Sequence, residues 1–201
     1  MQIDINKLRG KHVYLELLAP EHVPTLRPLA KDDRIWEFTK RFAADDTFDA
    51  AFDAYIKTAL DTNAMNGQQV FTIRQSSDNA IIGMTRLYEI SVADKRVMIG
   101  YTWYIPSIWK KIHNKECKLL LLQFVFEEWG FNRVAFTVAH QNIRSQKAVE
   151  KIGGVREGLL RKYGYRNDGS LYDQVVFSII SDEWPQKKEK LLELIAENEN
   201  Q

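Results

Sequence analysis

A chain of 201 residues, 45% hydrophobic and 27% charged, is long enough to bury one large core, and nothing in it demands a second domain. Its 28 Lys and Arg stand against 27 Asp and Glu, a formal charge of +1, which excludes a global field for gathering nucleic acid or an anionic membrane and leaves any anion site local. The single cysteine, Cys117, excludes an internal disulfide, and the sequence has neither the Cys/His clustering of a zinc site nor a paired redox motif.

Residues 1–7 lack the apolar core of a signal peptide and no apolar run approaches the length of a membrane span, so a soluble, cytoplasmic protein is expected. Residues 11–17 alternate as a strand, and Ala19-Pro20-Glu21-His22 opens a helix. From there to residue 63, Leu26, Leu29, Ile35, Trp36, Phe38, Phe48, Phe52, Tyr55, Ile56 and Leu60 recur at helical spacing, with polar breaks at 31–33 and 43–47, which predicts two or three short helices. Residues 69–74, 80–89 and 96–104 are strand-like, separated by the turns Ser76-Ser77-Asp78-Asn79 and Ala93-Asp94-Lys95, an antiparallel meander. Residues 115–129 predict a mostly buried helix with Leu122, Val125, Phe126 and Trp129 on one stripe, stopped by Gly130. A strand at 133–138 follows, then a helix capped by Asn142 and closed by Gly153-Gly154. Residues 155–163 and 172–180 flank the hairpin signal Asn167-Asp168-Gly169, and a charged helix over 182–197 ends the pattern. The expectation is a single α/β domain over 1–201, with 181–201 as its C-terminal charged helix.

Two segments can carry chemistry. Tyr104-Ile105-Pro106-Ser107-Ile108-Trp109-Lys110-Lys111-Ile112-His113-Asn114-Lys115-Glu116 runs from a strand end through a basic loop into a helix. A helix start offers unpaired N–H groups and the positive end of the dipole, so this is a local anion site or a solvated basic loop. In Asn142-Ile143-Arg144-Ser145-Gln146-Lys147-Ala148, Asn142 and Ser145 fall together on the first turn of a helix. A hydroxyl there can donate a proton; the structural alternative is an N-cap with Ser145 merely in the first turn. Cys117, one turn into an apolar helix, reads as a packed thiol.

Ile99-Gly100-Tyr101-Thr102-Trp103, the Pro106 loop, Asn114-Lys115-Glu116-Cys117-Lys118, Gly130-Phe131-Asn132-Arg133-Val134 and the segment from Asn142 to Gly153 resemble the two core motifs of the GNAT acyltransferases. Arg156-Glu157-Gly158, Leu160-Arg161, Asp168-Gly169, Val175-Val176-Phe177-Ser178-Ile179 and Asp182-Glu183-Trp184-Pro185 resemble the C-terminal signature of the RimJ/RimL branch of that superfamily. The resemblance runs from about Lys11 to Pro185 and implies a mixed, mostly antiparallel sheet splayed around acetyl-CoA. It also implies an N-acetyltransferase whose acceptor is a primary amine of a protein N-terminus or small molecule; the balanced charge and the lack of a binding motif or long apolar run leave no nucleic-acid or membrane partner expected. Homodimerisation is a family expectation that the sequence does not test.

By the same resemblance the pantetheine arm would follow the strand through Trp103, Tyr104 and Ile105, and the pyrophosphate would lie over Lys110, Lys111, Ile112, His113, Asn114 and Lys115. Asn142, Ser145 and Lys147 would face the cofactor arm, with Ser145 protonating the departing thiolate. Glu89, His113 and His140 are the candidate bases, Glu89 first. Trp36, Phe38, Phe42, Tyr163 and Tyr165 fall in segments that flank the acceptor groove in this fold. One departure stands out: the family loop Arg/Gln-x-x-Gly-x-Gly/Ala is matched by Trp109, Ile112 and Asn114, without glycine. Glycines serve positive φ or close phosphate approach, so their loss supports a second reading, a non-catalytic ligand-sensing or interaction module.

Overall fold

The computed structural model describes residues 4–39, 42, 45–65, 67–166 and 168–199; Asn167 of the expected hairpin turn lies outside them. The strands are β1 (Val13–Leu17), β2 (Gln69–Gln75), β3 (Ile81–Ser91), β4 (Arg96–Tyr104), β5 (Arg133–Ala139), β6 (Val155–Tyr165) and β7 (Leu171–Ile180). They form one sheet in the order β1-β2-β3-β4-β5-β7-β6. Every neighbouring pair is antiparallel except β4 and β5. The helices are α1 (Val23–Leu29), α2 (Phe48–Ala64), α3 (His113–Gln123), α4 (Ile143–Lys151) and α5 (Trp184–Glu199). This is the α/β, mostly antiparallel arrangement expected of the family.

Alternation along the strands divides the core between the two faces of the sheet. On one, Leu120 and Leu121 of α3 and Leu191 and Ile195 of α5 pack with Val97, Ile99, Val134, Phe136 and Val138. On the other, Leu26 of α1 and Phe52 and Ile56 of α2 pack with Val70, Met84 and Trp103. The long apolar helix differs from expectation at its end. The α-helix stops at Gln123 and Phe124–Glu128 continue as a π-helical turn, with Trp129 N–H donating to Phe124 O at 3.1 Å. The wider turn brings the Phe124 and Trp129 rings to 5.1 Å, so aromatic contact accompanies the change of pitch.

Glu116, in the first turn of α3, fastens that helix to the sheet edge. Its carboxylate accepts the backbone N–H groups of Lys11, His12 and Val13 at 2.9, 2.7 and 2.7 Å. A side chain at Gly10 would place Cβ 2.6 Å from the Glu116 carboxyl carbon, which is why glycine stands there.

The feature that positions a site is the junction of β4 and β5. Their parallel pairing covers Arg96↔Arg133, Val97↔Val134 and Met98↔Ala135 and goes no further. Beyond Met98, β4 stays with β3 and β5 stays with β7, so the sheet divides into two wings with a cleft between them.

Candidate active site

The cleft is lined on one side by a distorted β4. Tyr101 has φ 51°, and the β3–β4 register shifts between Met84/Trp103 and Arg86/Gly100. This extra residue inverts the alternation. Before it, Val97 and Ile99 face the α3 core; after it, Tyr104 joins that core, Thr102 meets Lys118 of α3, and Trp103 joins the opposite cluster. A bulge turns backbone N–H groups off the ladder, and past Met98 the β5-facing edge of β4 has no strand partner among the described residues.

Tyr88 crosses β4 at Gly100, where an added Cβ would lie 2.8 Å from the Tyr88 ring. Its hydroxyl comes to 3.3 Å from Thr137 Oγ1 on β5, and its ring meets Tyr101 edge to face at 5.1 Å. Burial pushes the Tyr88 phenol up to about 12. The tyrosine thus bridges the wings at the closed end of the cleft.

At the open end, the loop after β4 and the first turn of α4 meet. The Trp109 indole N–H donates to Tyr104 O at 2.9 Å, and the Arg144 guanidinium carbon lies 4.0 Å above the Trp109 ring. Asn142 caps α4, its Oδ1 accepting Ser145 N–H at 3.0 Å. The capping geometry expected from sequence is therefore present, and Ser145 is half-buried beside it, on the same turn as Arg144.

The loop dispenses with glycine by a backbone route. Ile112 has φ −64° and ψ −29°, right-handed helical values open to any residue, and Asn114 is already inside α3. The single positive φ of the loop falls on Lys110, at 65°. The positions matched to the family glycines thus need no left-handed conformation. Lys110 and Lys111 are exposed; Lys115 is half-buried and donates to Asn198 Oδ1 of α5 at 2.8 Å. Burial and nearby Lys151 pull the Lys115 ammonium below its usual range. His113 is half-buried with Nδ1 lacking a hydrogen-bond partner, and burial, then His12 and Lys111, lower its pKa.

The remaining expected residues are placed as follows. Trp103 and Tyr104 are buried in opposite cores, so they can offer the cleft only backbone; Ile105 N–H donates to Ile82 O at 3.0 Å. Lys147 is exposed on α4, and His140 is exposed with its N–H on Asp173 O. Glu89 is exposed, has φ 49°, and lines a cavity of about 260 Å³ at the β4–β5 pairing with Met98, Ala135, Thr137 and Tyr163. Cys117 is wholly buried, and burial pushes its thiol up, in keeping with a packed thiol. Trp36 is core, its indole N–H on Ala30 O, while Phe42 lines a cavity against Tyr101 and Tyr165 is exposed.

Two residues near the bulge have no role in the sequence expectations. Lys118, fully enclosed, donates to Thr102 Oγ1 at 2.8 Å, and Arg86, 3% exposed, lines the Phe42 cavity. Arg86 is a charge within a mostly apolar strand run, the one signal that marks it in sequence, whereas Lys118 closes the charged stretch Lys115-Glu116-Cys117-Lys118 and carries no such mark.

Residues 12–155 match the family described as Acetyltransferase (GNAT) domain. The chain belongs to the GNAT acetyltransferase family. Membership makes it an N-acetyltransferase that draws its acyl group from acetyl-CoA and passes it to an amine acceptor. The Bacillus subtilis (strain 168) protein named "Putative ribosomal N-acetyltransferase YdaF" is 26% identical over 186 residues, 89% of this chain and 97% of that one, which sets this GNAT chain in the RimJ/RimL-like branch. A GCN5-related N-acetyltransferase from Brucella melitensis superimposes with a TM-score of 0.82 at 23% identity, covering 94% of this chain and 84% of that one. The microcin C7 self-immunity acetyltransferase MccE, solved with acetyl-CoA and AMP, gives a TM-score of 0.72 at 20% identity, over 85% of this chain and 93% of its own. Among the described residues no helix is long and apolar enough to cross a membrane and no cluster of His, Cys, Asp and Glu could hold a metal ion.

Proposed function

We propose that the chain works as a single catalytic domain, that the cleft between β4 and β5 is its acetyl-CoA groove, and that the acceptor is a primary amine entering from the α2 face. The observation that carries this is the junction itself: a β4 edge without a strand partner among the described residues past Met98, a bulge at Tyr101, and the loop before α3 meeting the first turn of α4 at its open end. The residues present fit the ligand. Backbone N–H groups of the α3 start, with Lys110 and Lys111, suit a pyrophosphate, and the free edge of β4 suits the amides of an extended arm. MccE, seen with acetyl-CoA on the same fold, supports that assignment.

Acetyl-CoA supplies an activated acyl thioester when bound. The chain's own contributions are then few. Backbone N–H of the bulged strand stabilises negative charge on the acyl oxygen. Asn142 holds the first turn of α4 in place, and Ser145 delivers a proton to the departing sulfur. The amine must arrive neutral, because only the free amine has a lone pair with which to attack the acyl carbon. The non-catalytic module rested on the missing glycines alone, and the right-handed backbone at Ile112 shows that this position needs no glycine for its conformation.

Calorimetric titration with acetyl-CoA and with CoA is the direct test. Micromolar binding is expected, weakened at least several-fold in the double variant Lys110→Ala, Lys111→Ala. Ser145→Ala is expected to lower kcat by about a hundredfold with acetyl-CoA affinity nearly unchanged, in line with the usual contribution of a general acid. Full activity in that variant removes Ser145 from the mechanism, and no acetyl-CoA binding by the wild type returns the non-catalytic module.

A further inference from the structure

Arg86 is a buried cation that the acyl-transfer machinery does not use. It lies in β3 between buried Thr85 and Leu87, and its guanidinium sits between two rings, Tyr55 of α2 and Tyr101 of the bulge, each 4.6 Å from Cζ. Stacking fixes the guanidinium plane and adds cation–π attraction, but leaves the N–H groups in that plane to find acceptors. Nη1 reaches Gln68 Oε1 at 3.3 Å. Nε and Nη2 are buried without any hydrogen-bond partner.

These two atoms form one edge of the guanidinium, the edge that takes both oxygens of a carboxylate. The chain shows the pattern elsewhere: Arg34 holds Asp32 with Nε to Oδ1 at 2.8 Å and Nη2 to Oδ2 at 2.5 Å. At Arg86 the same edge is buried and has no carboxylate, so a ligand in the adjoining cavity reaches it only as the Arg86 side chain or a flanking ring shifts. Buried donors left unpaired cost far more than exposed ones, and a fixed, desolvated fork gains correspondingly when an anion completes it.

Space for that anion is adjacent. A cavity of about 330 Å³ is lined by Phe42, Tyr55, Thr58, Gln68, Arg86 and Tyr101, among others, and no carboxylate lines it among the described residues. It opens on the bulge, because Tyr101 is shared and Arg86 is in register with Gly100. A ligand held by Arg86 is thus within a small molecule's reach of the bulged backbone. The volume suits a small molecule, and the lone positive charge disfavours a polyamine, whose second ammonium would face it.

We propose that Arg86 is the specificity residue for the acceptor and binds a carboxylate, so that the enzyme acylates small amines of the amino-acid type, in which an anionic group lies close to the nitrogen. This rests on the acyl-transfer reading above. In the step it serves, the neutral amine forms a C–N bond to the acyl carbon as the C–S bond breaks. The proton lost by nitrogen is balanced by the one gained by sulfur, giving an N-acyl amino acid and the CoA thiol.

The test uses the purified protein and matched probes, each amino acid beside its carboxamide, scored by release of CoA thiol. The wild type is expected to prefer acids by about tenfold or more in kcat/KM, since a site built to pair a group rejects the analogue lacking it. Arg86→Met is expected to bring the ratio near one by losing the acids, with acetyl-CoA affinity unchanged and thermal stability not reduced, because it removes a buried unpaired cation. Arg86→Lys, which keeps charge but not the fork, should retain part of the preference. Direct calorimetric titration of the same probes into CoA-loaded protein runs beside turnover, and acids but not carboxamides should bind. Equal treatment of acid and carboxamide, no acid binding to the wild type, or an undiminished preference in Arg86→Met overturns the proposal. Acid binding that depends on Arg86 in a protein that fails to bind acetyl-CoA supports the carboxylate site and removes the acyl-transfer reading.

Discussion

Lys118 lies beneath the β4 bulge with hydroxyls rather than a carboxylate for company. Its ammonium donates to Thr102 Oγ1 at 2.8 Å, and Thr102 and Thr85 pair at the same distance, so one buried amine tethers the strand one residue past Tyr101. Burial pulls its pKa below the usual lysine range, because desolvation disfavours the charged form. Lys118→Met keeps the length and removes the charge. It is expected to leave the thermal midpoint unchanged or higher, as replacement of a buried ion by an apolar side chain often does. Turnover should fall about tenfold, the equivalent of roughly 1.4 kcal/mol and of one lost charge-assisted hydrogen bond, with acetyl-CoA affinity held within about twofold. Unchanged kcat in a folded Lys118→Met protein would show that the bulge keeps its shape unaided. This makes Lys118 a positioning residue, separable from Ser145 because Ser145→Ala should leave the strand untouched.

At the scale of elements, the loop from Trp109 into α3 reaches its turn without the family glycines. Restoring one tests whether it was missed. Ile112→Gly would place a flexible residue where the backbone is already right-handed and would remove a side chain packed on the α3 core. The expected result is a loss of about 2 kcal/mol by denaturant unfolding, from lost apolar burial and added chain entropy, with no gain in acetyl-CoA affinity by calorimetry. Tighter binding in that variant would mean that close backbone approach had been sacrificed at this position. How far such elements were legible depends on whether their cause is local. The meander and the Asn142 cap follow from alternation and side-chain chemistry within a few residues, and both stand where the sequence put them. The bulge at Tyr101 does not announce itself, because it rests on a non-glycine residue and on the Lys118 tether from another element. Glu116 reads as an ordinary first-turn acid, and its true partners, the N–H groups of residues 11–13, come from the far edge of the sheet. Arg86 was visible only as a charge in an apolar strand; its meaning needs Tyr55, Tyr101 and a cavity that no local pattern encodes.

The whole molecule is two wings of sheet joined by three residue pairs and by contacts across the cleft. The wing of β5, β7 and β6 carries its own clamp. Arg133 of β5 pairs with Glu157 of β6 through both carboxylate oxygens, and Ser178 of β7 donates to Glu157 Oε1 at 2.7 Å. First the Arg133 hydrogen bonds, then that of Ser178, pull the Glu157 carboxyl down to about 2 against burial, which opposes them. A carboxylate depressed in the folded state stabilises fully above its ordinary pKa near 4.5, and the contribution is lost as pH falls from there toward 2. Both side chains are about a third exposed, 33% for Arg133 and 37% for Glu157, so solvent screening limits the effect to about 1 kcal/mol or less. Glu157→Gln should therefore be slightly less stable than the wild type at pH 7 and should converge with it by pH 2. The difference is to be read from unfolding midpoints across that range at fixed ionic strength. Because the clamp binds only β5, β6 and β7, acid should also loosen this wing first, and amide exchange in β6 should quicken with falling pH before exchange in β2 and β3 does. Uniform quickening across both wings would mean that the three residue pairs between β4 and β5 suffice to make the sheet one cooperative unit. Acetyl-CoA would then add occupancy to the cleft without having to hold the wings together.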